Sequence, residues 1–128
     1  DGVADVDISS LLKHHKKSNK IATVTAVKPP GRFGSLKLDG NLVKEFIEKP
    51  DGDLGRINGG FFVFEKQVFD YLDNDSTVLE NEPLKKLAKE NNLNAYFHDS
   101  FWCPMDTLRD KNFLEQAWLE NPKWKVWD

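Results

Sequence analysis

The chain has 128 residues, 39% of them hydrophobic and 30% charged, the composition of an ordinary water-soluble domain with a modest core. Its net charge of −3 gives no reason to expect nucleic acid or a membrane surface as a partner, and no apolar run reaches membrane-spanning length. Cys103 is the sole cysteine, which excludes an internal disulfide and favours a reducing, cytoplasmic setting.

The first residue is Asp1 rather than a methionine, and Gly2-Val3-Ala4-Asp5 reads like the end of an element already under way. The chain is therefore expected to be a piece of a longer protein. Residues 1–7 read as a loop, with Asp7 capping a helix over 8–17 whose face carries Ile8, Leu11, Leu12 and His15. The β-branched run 21–27 predicts a buried strand, broken by Pro29-Pro30-Gly31-Arg32-Phe33-Gly34. Residues 35–38 and 42–48 predict a hairpin, because Asp39-Gly40 tolerates the positive φ of a tight turn.

A glycine- and aspartate-rich loop over 51–56 follows, then an aromatic strand over 60–64 and a helical turn over 66–72. Thr77 with Glu80 three residues on suggests a capping box for a helix bearing Leu84, Leu87 and Ala88, closed by Asn91-Asn92. Residues 94–98 predict a short strand and 101–105 an irregular stretch. Asp106 or Thr107 then caps a helix to about Leu119, and the tail carries Trp124 and Trp127. With no repeat or linker, the strand–helix mixture predicts a single α/β or α+β domain over 1–128 with a mixed sheet.

The stretch from 43 to 65 gathers polar residues where strands meet a loop, the usual location of substrate contacts in α/β sheets. Lys49 suits a phosphate as a compact point charge, or is simply exposed. Glu48 suits sugar hydroxyls, or ends a strand in solvent. Asn58-Gly59-Gly60 either lets backbone approach a ligand or makes a plain turn. Asp1 and Asp106 are carboxylates of the kind that hold Mg²⁺, although Asp106 serves equally as a helix cap. His14, His15 and His98 lack metal-ligand spacing with Cys103, and Walker, dinucleotide and nucleophile-elbow motifs are absent. Trp102, Trp118, Trp124 and Trp127 suit a core or an interface rather than a ligand platform, and with the last three gathered towards the tail a homo-oligomer is expected.

Five words occur in order: Asp1-Gly2-Val3-Ala4-Asp5, Pro30-Gly31-Arg32-Phe33-Gly34, Glu48-Lys49-Pro50, Ile57-Asn58-Gly59-Gly60-Phe61-Phe62-Val63 and Pro104-Met105-Asp106-Thr107-Leu108-Arg109-Asp110-Lys111. Together they resemble the glucose-1-phosphate cytidylyltransferases, a branch of the sugar nucleotidyltransferase family, over what would be their C-terminal half. The resemblance implies a Rossmann-like α/β/α nucleotidyltransferase fold. It also implies transfer of a cytidylyl group from CTP to glucose 1-phosphate, giving CDP-glucose and pyrophosphate for bacterial dideoxysugar synthesis. By the same resemblance, Asp1 and Asp106 hold Mg²⁺, Lys49 anchors the sugar phosphate, and Gly34, Glu48, Asn58 and Gly60 shape the sugar pocket.

The family's glycine-rich nucleotide-binding signature does not occur in this chain, so the isolated chain is expected to be inactive. Cys103 stands where the resemblance leads one to expect a polar residue such as glutamine. A uridylyl- or thymidylyltransferase, which shares the Glu-Lys-Pro word, and a non-catalytic sugar-phosphate-binding or oligomerisation module are the alternatives.

Overall fold

A computed structural model describes residues 1–28, 35–47 and 55–128, with backbone alone for 35–38 and 46–47. In chain order the described elements are β1 (Gly2–Ala4), α1 (Ile8–Ser18), β2 (Ala22–Val27), β3 (Ser35–Asp39), β4 (Leu42–Ile47), β5 (Ile57–Asn58) and β6 (Val63–Phe64). A 3-10 helix (Lys66–Tyr71), α2 (Glu82–Lys89), β7 (Leu93–His98), β8 (Trp102–Pro104) and α3 (Leu108–Glu120) complete them.

Strand β2 is the axis. It runs parallel to β7 along its full length, Ala22 opposite Leu93 and Val27 opposite His98. Its other edge is shared by β5 and β6, both antiparallel to it. With both edges paired, β2 is almost wholly buried, which suits its short and β-branched side chains. Of the strand predicted over 60–64 only Val63–Phe64 forms, and Ile57–Asn58 pairs as a separate short piece before it. Gly60 at φ +81 and Phe61 at φ +45 cannot continue a pleated strand, so the chain breaks between β5 and β6. The hairpin of β3 and β4 forms as expected, with Gly40 at φ +59.

Alternation along β2 and β7 puts Thr23, Thr25, Asn94, Tyr96 and His98 on one face. Helix α1 covers that face. Asp7 caps it as expected, accepting from the Ser10 backbone N–H at 3.0 Å. Leu11 and His15 turn inward, whereas Ile8 and Leu12 remain exposed, so the buried stripe is narrower than the sequence suggests. Buried His15 lies 2.8 Å from the Thr23 hydroxyl through Nδ1 and 3.1 Å from Glu65 through Nε2. An ionised Glu65 only accepts, so Nε2 carries the proton to it and Nδ1 receives the Thr23 hydroxyl.

Two other expectations change. Residues 1–7 and 101–105, expected to be irregular, pair as the antiparallel strands β1 and β8. Three-residue strands containing Gly2 and Pro104 carry no periodic signal, and Pro104 is tolerated because, among the described residues, only β1 pairs with β8. The capping box expected at Thr77 is absent. The Thr77 hydroxyl instead accepts from Asn74 in a turn, and α2 begins at Glu82 with Pro83 in its first turn, where a missing N–H does no harm. Helix α2 ends as expected: Asn91 takes φ +58, and the Asn92 and Asn91 N–H groups donate to Leu87 and Ala88. Among the described residues no helix is long and apolar enough to cross a membrane.

The Ser10 hydroxyl, and then its N–H, hold the Asp7 carboxyl below the usual aspartate range. A carboxyl lowered by folding adds stability that is present above its unfolded pKa and lost as pH falls through its folded value. Acid titration followed by circular dichroism is expected to show α1 loosening below about pH 4. Asp7→Asn should flatten that part of the curve; identical acid-unfolding profiles for the two proteins would contradict the assignment.

Candidate functional site

The β1–β8 ladder builds the site. Gly2 pairs with Pro104, Val3 with Cys103 and Ala4 with Trp102, and the Met105 N–H extends the ladder to the Asp1 carbonyl at 2.7 Å. Asp1 and Asp106 therefore leave the same end. The Asp1 main-chain nitrogen lies 3.9 Å from Asp106 Oδ1, and the two side chains are 89% and 70% exposed. Both carboxylates line one cleft of about 570 Å³.

The structure also separates the two roles open to Asp106. Thr107 is the cap of α3: its hydroxyl accepts from the Asp110 N–H at 3.1 Å, and Asp110 Oδ2 accepts from the Thr107 N–H at 3.1 Å. Asp110 also takes the Asp106 N–H at 3.2 Å. The Asp106 carboxylate has no share in this capping box.

The opposite wall is the break between β5 and β6. Asn58 Oδ1 accepts from the Gly60 N–H at 2.9 Å, so the Asn58 amide hydrogens are the part of its head left for a ligand. Gly59 donates to the Thr25 carbonyl at 2.9 Å, and the Thr25 hydroxyl donates to the Phe61 carbonyl at 2.9 Å. Trp102 reaches across from β8, its indole N–H donating to the Gly59 carbonyl at 2.9 Å. Glu80, from the turn before α2, also lines the cleft. Sequence reasoning placed neither Trp102, read as a core or interface residue, nor Glu80 in a site. One lay in a stretch read as irregular, and the other was taken as half of a cap.

Of the expected site residues, Asp1, Asp106, Asn58 and Gly60 share this cleft. Gly34, Glu48 and Lys49 lie outside the described residues. Arg56 is occupied within the fold, donating to Asp99 at 2.7 Å and lying over the Phe97 ring.

Among the described residues no three His, Cys, Asp or Glu side chains converge. An exposed carboxylate pair suits a hard cation that keeps several waters and takes further oxygens from phosphates. It does not suit zinc, which favours closed nitrogen and sulfur sites.

The sequence pattern of the family described as nucleotidyl transferase matches residues 1–120. Glucose-1-phosphate cytidylyltransferases of Salmonella typhi and Salmonella typhimurium are each 51% identical over 129 aligned residues, covering 100% of this chain and 50% of each relative. The solved structure of HddC from Yersinia pseudotuberculosis shares the fold, with a TM-score of 0.61 at 18% identity over 92% of this chain and 52% of that one. The chain thus spans about half the length of the curated relatives it matches. These matches give only a shared half, and do not carry the C-terminal placement that the motifs suggested.

A Cβ added to Gly59 would stand 2.6 Å from Val27 Cγ1 and 3.1 Å from the Thr25 carbonyl. Gly59→Ala is therefore expected to destabilise the fold by about 1–3 kcal/mol, the usual cost of overpacking. Equilibrium denaturation measures it, and an unchanged midpoint would contradict the close approach.

Proposed function

The chain belongs to the nucleotidyl transferase family, and from that premise we propose that the protein carrying it transfers a cytidylyl group from CTP to glucose 1-phosphate. CDP-glucose and pyrophosphate are the products. The observation that supports this most is the cleft itself, where Asp1 and Asp106, distant in sequence, line one cavity with the Asn58–Gly60 segment. The names of the relatives that are 51% identical to the chain supply the substrates proposed.

In the proposed reaction a phosphate oxygen of glucose 1-phosphate attacks the α-phosphorus of CTP in line. A new oxygen–phosphorus bond forms as the bond to the departing pyrophosphate breaks. The protein's task in such a transfer is placement and neutralisation of charge. Lys49 anchors the sugar phosphate. Glu48, Gly34, Asn58 and Gly60 shape the sugar pocket, with the Asn58 amide hydrogens directed to an acceptor oxygen on the sugar. Asp1 and Asp106 hold Mg²⁺, which when bound supplies a positive charge against the phosphate oxygens.

Nucleotide recognition needs residues outside this chain, so the 128-residue chain alone is inactive. The whole protein is cytoplasmic and assembles as a homo-oligomer. Support for assembly comes from the end of α3 and the tail, where Trp118, Leu119, Val126 and Trp127 are exposed. Trp124 instead folds back, stacking on Phe101.

Asp106→Asn in the complete protein keeps an oxygen but removes the charge that a metal needs. Turnover is expected to fall on the order of a hundredfold, with the melting temperature moved by no more than a few degrees. Added Mg²⁺ should recover part of the loss. Thr107→Ala should behave oppositely, costing about 1 kcal/mol of stability through the cap while the folded molecules keep their turnover. Near-normal turnover by Asp106→Asn would remove the metal assignment.

Lys49→Ala is expected to raise the KM for glucose 1-phosphate about tenfold or more, the worth of a charge-assisted phosphate contact. The KM for CTP should move much less. Equal weakening of both substrates in steady-state kinetics would count against the anchor.

A further inference from the structure

We propose that Trp102 is a positioning residue, whose indole N–H fixes the distance between the carboxylate wall of the cleft and the Asn58–Gly60 wall. Among the described residues the β1–β8 ladder is a separate two-stranded sheet, sharing no strand pairing with the sheet built on β2. Side chains hold it in place. At one end His98 Nε2 lies 3.0 Å from the Phe101 carbonyl and 3.0 Å from Asp5 Oδ1, and the Ser100 hydroxyl donates to Asp5 Oδ2. That cluster roots the ladder at the end away from Asp1 and Asp106.

Asp1 stands four residues from Asp5, about 13 Å of extended strand. A rotation of about 5° at the His98 root would carry Asp1 through about 1 Å, and an error of that size can cost a hundredfold in rate. Trp102 prevents it. Its ring packs against the buried cluster of Ala4, Val6 and Leu11, and its N–H reaches the Gly59 carbonyl at 2.9 Å. Gly59 is buried and sits beside two residues at positive φ. The acceptor is thus held by the strained break, and the donor by the ladder. The bond spans the cleft from the wall that holds charge to the wall that meets the sugar.

The two walls can each bind their own ligand whatever their separation. Their separation matters when one reacting complex must touch both. Losing the bond should therefore lower kcat and leave ground-state binding almost unchanged.

This inference rests on the cytidylyl-transfer reading, and the test separates the two. In the complete protein, Trp102→Phe removes the N–H and part of the ring. Trp102→β-(3-benzothienyl)alanine exchanges the N–H for sulfur at nearly constant shape, and decides the matter alone if the phenylalanine variant does not fold. The expected result is a kcat lowered about ten- to a hundredfold. The KM values for CTP and glucose 1-phosphate and the half-saturating Mg²⁺ concentration should all stay within about threefold of wild type. An unchanged kcat, or a loss confined to the KM of one substrate, overturns the proposal.

If the unaltered protein performs no cytidylyl transfer, the proposed function fails and the indole proton judges Trp102. With ¹⁵N-labelled tryptophan, slow exchange of that proton, and shifted Gly59 and Gly60 amide resonances in the variant, would sustain the pin. Exchange as fast as that of the exposed Trp127 would overturn it.

Discussion

Asp1 and Asp106, distant in sequence, line one cleft because Gly2–Ala4 and Trp102–Pro104 pair as neighbouring strands. A three-residue ladder is marginal in water by itself. It persists because it lies on the cluster of Ala4, Val6 and Leu11, and Leu11 is almost completely buried. The burial of α1 and the geometry of the cleft are therefore one problem. Solvent solves the other half of it. Like charges repel weakly in water and far more strongly in a dry interior. Asp1 and Asp106 are both largely exposed, so solvent screens any repulsion between their carboxylates.

The facing wall is rigid for a different reason. The chain between β5 and β6 departs from the strand, yet the Gly59 and Gly60 N–H groups and the Gly59, Gly60 and Phe61 carbonyls are taken by Thr25, Asn58 and Trp102. Positive φ at Phe61 is costly for a residue with a large side chain, and it persists only where the surroundings over-determine it. Thr25 contributes its backbone N–H, its carbonyl and its hydroxyl to that task. A central strand thereby sets the shape of a cleft wall without lining the cleft.

Features governed by local chemistry were legible in the sequence. Asp7 announces a cap because a short acceptor precedes an apolar helical stripe, and Asp39-Gly40 announces a hairpin because glycine admits positive φ. Asn91-Asn92 marks a helix end for the same reason. The Asp1–Asp106 pairing came from whole words of sequence, since nothing local at residues 1–7 or 101–105 hints at a ladder. Trp102 was invisible for the converse reason: a tryptophan gives no sign of where its N–H points until Gly59 is beside it. Pro83 misled in another way. The capping box at Thr77 looked adequate, but the proline defines the first turn of α2 five residues later.

The long reach of the β1–β8 ladder also sets an order of events. Closing a loop of about 100 residues costs about 4 kcal/mol of chain entropy before any contact repays it. Local pieces such as α1, the β3–β4 hairpin and α2 need no such closure, and β2 must find β7 before His98 can receive Asp5. The ladder is thus among the last features to form. A chain still emerging from the ribosome, or one that stops short of Trp102, can shape the Asn58–Gly60 wall but cannot bring Asp106 beside it. Asp1 and Asp106 reach one cleft only with the finished fold.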